Sequence, residues 1–74
     1  MSYLSFYNST YAKGKSIGNP LEPLQGNGLK DKTVTVVEIP SSYEGEDVVE
    51  IAIGSFASTS IEKVFIPKKS NILE

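Results

Sequence analysis

Residues 48–67 read VVEIAIGSFASTSIEKVFIP, a stretch that opens and closes on β-branched and aromatic residues and turns between them on small ones. Branching at Cβ suits a pleated, half-buried surface better than a helix, so the two ends are predicted as strands. The middle, Gly54 to Ser60, is rich in small polar residues that favour caps and corners over helix interiors. One large ring, Phe56, stands inside that corner and has to be housed.

Working outward, the run Thr33-Val34-Thr35-Val36-Val37-Glu38-Ile39 is equally β-branched. Val37 and Ile39 alternate with Glu38, and Val64 and Ile66 flank Phe65, so each run is expected to turn one face inward at period two. Pro40 and Pro67 follow these runs and end their ladders. Between the strands, Ser41 to Asp47 reads as a polar turn with Gly45 at positive φ. Upstream the texture changes. Residues 1–32 join an aromatic start (Tyr3, Phe6, Tyr7, Tyr11) to a Gly/Pro-rich stretch from Gly14 to Gly28, predicted as loop with at most short extended pieces. The organisation expected is an N-terminal cap and loop over 1–32 and a repeat segment over 33–74.

Internal repetition carries the argument further. Val37-Glu38-Ile39-Pro40 recurs as Val64-Phe65-Ile66-Pro67, and 66 minus 39 sets the spacing at 27 residues. Between the two copies fall Val48, Ile51, Phe56 and Ile61. This cadence resembles the BspA-type leucine-rich repeat, whose unit reads approximately V-x-x-I-G-x-x-A-F-x-G-x-x-L-x-x-V-x-I-P. Val48, Ile51, Phe56, Ile61, Val64, Ile66 and Pro67 occupy its apolar and proline positions, and Tyr43-Glu44-Gly45 resembles the Y-x-G turn that often precedes an early repeat. Ala52 stands where the family usually has glycine, Ser55 where it usually has alanine, and the Tyr43-Glu44-Gly45 turn lengthens the unit. The resemblance covers residues 34–74. It implies a mainly β fold with short solenoid-type strands, little or no helix and an irregular cap, in which Phe56 stacks inside the corner. The alternative is an ordinary core phenylalanine of an unrelated β-sandwich fragment.

The same resemblance implies a non-enzymatic module for protein interaction or adhesion, with a protein partner and, by family analogy, a cell-surface or secreted setting; a cytoplasmic one stays open. Outward strand residues would carry recognition: Glu38, Glu50, Glu62, Lys63 and Phe65, with Phe65 offering the apolar area of an anchor. After Pro67, Ile72 takes the first slot of a further step whose partner would fall at 75, so the chain is expected to stop inside a repeat. Solenoid units bury their faces only by stacking. A second reading is therefore self-assembly, the open repeat closing on another copy.

Composition narrows the alternatives. A chain of 74 residues makes one small domain, which at this size buries only about 60% of its unfolded surface. With no Cys and no His, disulfides, Cys/His zinc sites and histidine acid–base chemistry are excluded. A net charge of -2 offers no basic stripe for phosphates, so nucleic acid is not expected. Met1 to Asn8 lacks the basic and apolar regions of a secretory signal, and no apolar run approaches the ~18–20 residues of a membrane span. Gly14-Lys15-Ser16 lacks the leading glycine and preceding strand of a phosphate loop. Gly26-Asn27-Gly28 is a turn rather than a dinucleotide fingerprint. Glu44, Glu46, Asp47 and Glu50 match no calcium loop and read as a solvated acidic turn. Asn8-Ser9-Thr10 is a glycosylation sequon expected by chance, and no nucleophile–base pair supports catalysis. No cofactor is expected. Tyr3, Tyr7 and Tyr11 fall four apart and are expected to plug the first coil rather than line a helix.

Overall fold

The computed structural model describes residues 2–67. Within them the β-branched runs form strands, and no helix is present among the described residues. The strands are β1 (Phe6–Asn8), β2 (Lys15–Ile17), β3 (Val36–Glu38), β4 (Ser42–Tyr43), β5 (Glu46–Ile51) and β6 (Lys63–Phe65). The expectation of a mainly β chain holds. A four-stranded sheet runs β1-β2-β5-β4, and a two-stranded sheet pairs β3 with β6.

Both sheets are organised by a parallel pair, β2 with β5 and β3 with β6. The chain lays down β2 and β3, turns through β4, and returns to place β5 along β2 and β6 along β3. Val36 faces Lys63, Val37 faces Val64 and Glu38 faces Phe65. Each pair is 27 positions apart (63 minus 36), which is the spacing of the two V-x-I-P copies. Ile17 likewise faces Ile51, which sets Gly18 level with Ala52. The register of β2 on β5 shifts between Lys15 and Ser16, a bulge that leaves Val49 extra and lets both Val48 and Val49 be buried.

These pairs meet at a corner of small residues. Ser55 is 2% exposed, and its Oγ donates to the carbonyls of Ile17 at 2.9 Å and Ala52 at 2.7 Å. Its backbone oxygen accepts from Gly28 N at 2.9 Å. A Cβ on Gly28 would lie 2.8 Å from Ser55 Cβ, and one on Gly18 would fall onto Ser55 Oγ. Gly18 also holds a φ of 81°, which an L side chain adopts only under strain. Phe56, next in the chain, packs partly buried against the core, as its place inside the corner requires.

The core cluster of Leu4, Ile17, Leu29, Val37, Ile39 and Val48 draws on both halves of the chain. Leu4 and Leu29 form a bridge, and β1 pairs antiparallel with β2, so the aromatic start lies along one side of the molecule as an extended segment. Tyr3 packs against the core and its Oη accepts from Glu38 N at 3.0 Å. Tyr7 and Tyr11 are exposed, with Tyr11 Oη donating to Val49 O. The Phe6 ring stacks on Tyr43 at 3.8 Å between centroids and 6° between planes.

The segment read as a polar turn contains more structure than expected. Ser42 and Tyr43 pair with Asp47 and Glu46, and a two-residue turn of Glu44 (φ 52°) and Gly45 (φ 82°) closes the hairpin with both central residues left-handed. Gly45 takes the predicted positive φ, and Glu44 shares it. Inward alternation holds on β3, where Val37 is fully buried and Ile39 4% exposed. It fails on β6, where Val64 is 38% exposed. β6 is the outer member of its pair, and among the described residues no strand lies beyond it to cover that face. The predicted further repeat step at 68–74 lies outside the described residues.

Before β3, Asp31 Oδ1 accepts from Thr33 Oγ1 at 2.6 Å and Thr33 N at 2.9 Å, a side-chain-capped turn that feeds the chain into the strand run. The Thr33 hydroxyl, and after it the Thr33 amide, hold the Asp31 carboxyl below the usual aspartate range.

Two predictions follow from this packing. Gly28→Ala lowers the urea midpoint clearly, by an overpacking cost of about 1–3 kcal/mol. Ser55→Ala costs only about 0.5–1.5 kcal/mol, because the Ile17 and Ala52 carbonyls keep the Ala52 and Ser55 amides as donors; an order reversed between these variants contradicts the corner. Second, a carboxyl depressed in the folded state stabilises above its unfolded pKa and loses that contribution as pH falls through the folded one. Thr33→Ala is expected to move the Asp31 midpoint upward in a carbon-detected NMR titration, and an unmoved midpoint refutes the turn.

Candidate functional site

A strand exposes alternate residues on one face, and neighbouring strands lie ~4.8 Å apart. The register of β3 on β6 therefore gathers Val36, Glu38, Lys63 and Phe65 on one outer surface. All four are exposed; Val36 is 43% and Phe65 55% exposed, while Val37 between Val36 and Glu38 is fully buried. The buried valine fixes which way the others point. Phe65 thus presents a large ring directly across from Glu38 and diagonal to Val36, which faces Lys63.

Three of the five sequence candidates, Glu38, Lys63 and Phe65, come together on this face. Glu62 is exposed one position before β6, where its amide donates to Thr35 O at 2.7 Å and starts the ladder. Glu50 lies in β5, on the other sheet, half-buried. Its Oε1 accepts from Ser9 Oγ at 2.7 Å and from Thr10 N at 3.3 Å. That carboxylate fastens the turn after β1 to β5 and is engaged within the chain. The sequence pattern grouped Glu50 with the others because it is a charged residue in an apolar run, but strand membership differs.

Val36 is the member of the face that the sequence reasoning left out. Its signal was present: alternation inward at Val37 and Ile39 leaves Val36 outward as surely as Glu38. A second missed feature is an apolar corner. Leu21 (82% exposed), Leu24 (63%) and Ile53 (86%) are exposed near one another in the chain path, since Gly26 N donates to Gly54 O at 2.9 Å and links the two loops.

The acidic turn forms a separate feature. Glu46 Oε1 lies 3.4 Å from Lys15 Nζ, and Lys13, Gly45, Glu46 and Asp47 line an open cleft of about 200 Å³. Among the described residues no group of three His, Cys, Asp or Glu side chains is placed to hold a metal ion. Also among the described residues, no helix is long and apolar enough to cross a membrane. Comparison of the chain with protein-family models, curated proteins and solved structures finds no match.

Proposed function

We propose that the chain is a non-enzymatic protein-interaction module of the BspA-like leucine-rich repeat type, which presents the outer face of β3 and β6 to a protein partner. The observation that carries this reading is the grouping of Val36, Lys63 and Phe65 with Glu38 on that face. An exposed aromatic beside an aliphatic residue and flanked by one charge of each sign is the composition of a small recognition patch, in which the ring anchors and the charges select.

Two features support the repeat reading. The 27-residue offset of β3 on β6 equals the sequence period, which is what stacking of successive units requires. The unit quoted above has glycine at the position of Ser58, and Ser58 holds a φ of 57°, the left-handed conformation for which glycine is the usual choice.

The test is a displayed library of extended peptides selected on the 74-residue chain and then measured against variants. Phe65→Ser is expected to weaken the selected peptides by about tenfold or more, as loss of a central anchor does. Tyr7→Ser, on β1 away from the β3–β6 sheet, is expected to leave them unchanged. Peptides that bind both variants alike, or none enriched at all, overturn the reading.

A further inference from the structure

The β3–β6 sheet has two edges, and they differ. Ile39 N donates to Phe65 O at 2.9 Å and Lys63 N to Thr35 O at 3.3 Å, so Lys63 and Phe65 direct their backbone groups toward β3. Alternation then aims the N–H and C=O of Val64 away from β3, at the outer edge. On the other side of the sheet, Tyr3 Oη accepts from Glu38 N and covers the edge of β3. Among the described residues no strand pairs with the outer edge of β6, all three of whose residues are exposed. A two-stranded sheet is marginal alone and gains stability from further strands.

We infer that this edge is the docking strand for a second copy of the chain, β6 pairing antiparallel with its counterpart about a two-fold axis through Val64. This rests on the reading of the β3–β6 face as an interaction surface and names its partner.

The sequence of β6 selects the register. The Glu62 amide is turned inward to Thr35 O, so within β6 only Val64 directs its backbone groups to the outer edge, and a hydrogen-bonded pair has to be centred on it. Centring on Val64 sets Val64 opposite Val64 of the second copy and Glu62 opposite Ile66. Lys63 then stands over Phe65 of the second copy, and the reverse, giving two ammonium-to-ring contacts on the outer face. Sliding one step toward the N-terminus places Lys63 opposite Lys63, which like charge disfavours. Sliding one step the other way pairs Val64 with Ile66, past the end of β6, and sets Pro67 opposite Lys63. The centred arrangement exchanges backbone hydrogen bonds between the two Val64 residues, sets no like charges opposite each other and turns two two-stranded sheets into one of four.

Sedimentation equilibrium of the intact chain over a range of concentrations tests this, with four variants beside it. The wild type is expected to be a dimer that dissociates on dilution. Val64→Pro removes the one amide aimed at the partner and spares the bonds to β3; it is expected to be monomeric. Because proline in a strand also weakens the fold itself, charge swaps at an exposed position give an independent measure. Phe65→Lys sets lysines opposite Lys63 and is expected to weaken association at least tenfold, whereas Phe65→Glu sets carboxylates there and is expected to retain it. In oxidising buffer Val64→Cys, which supplies the chain's single thiol at a pair ~5.5 Å apart between Cα atoms, is expected to form a covalent dimer. A wild type that stays monomeric, or a dimer that both Phe65 variants weaken alike, overturns the inference. A monomer that still loses its selected peptides on Phe65→Ser leaves the interaction face standing and removes only the second copy as its partner.

Discussion

The close approach of Ser55 to Gly18 and Gly28 is the constraint on which the rest depends. Ser55 lies after β5 against Gly18, which follows β2, and Gly28, which precedes β3, so its contacts set how closely these segments approach. Side-chain volume at the corner limits that approach. Two glycines provide the room, one of them in a left-handed conformation, and the Ser55 hydroxyl uses the contact to donate to the carbonyls of Ile17 and Ala52. From there Ala52 N reaches Ile17 O at 2.9 Å, which joins β5 to β2, and Gly28 N reaches Ser55 O, which ties the loop before β3 to the corner before β6. The corner thus positions β3 and β6, which form the outer face.

Much of this was legible in the sequence, because its signals are local or periodic. The β-branched runs became β3, β5 and β6, Gly45 took positive φ, and the 27-residue spacing reappeared as a strand register. What was not legible depended on distant contacts. β2 is one of the short extended pieces expected in the Gly/Pro-rich stretch, but its parallel pairing with β5 was not readable there, and it contains a buried serine, Ser16, where a strand of this kind ordinarily shows an apolar residue. Its Oγ is satisfied by Gly18 O at 2.9 Å, so the polar atom is buried without penalty, and composition alone gives no sign of that. Glu50 joined the list of outward residues for a related reason: its partners, Ser9 and Thr10, lie about forty positions away in the chain. Of the candidate site, the face formed by Glu38, Lys63 and Phe65 was readable from alternation, and its completion by Val36 followed from the same rule.

The two edges of the β3–β6 sheet differ. On one, Tyr3 Oη accepts from the Glu38 amide and covers the backbone of β3. On the other, β6 presents exposed side chains and an edge that no described strand occupies. Sheets that expose such an edge are templates for association, and proteins that avoid it do so with charge, proline or cover. Here proline follows the strand at Pro67 and charge sits at Glu62 and Lys63, which narrows the partners the edge accepts rather than closing it. The proposed interaction role rests on that difference.

The central claim is that β5 lies parallel along β2 and β6 parallel along β3. Through-hydrogen-bond NMR couplings test it most directly, since each one names its donor and acceptor. The account predicts couplings from the Ile39 amide to the Phe65 carbonyl and from the Ala52 amide to the Ile17 carbonyl. Couplings that instead join these strands in antiparallel order, or that pair β3 with β5, would contradict it.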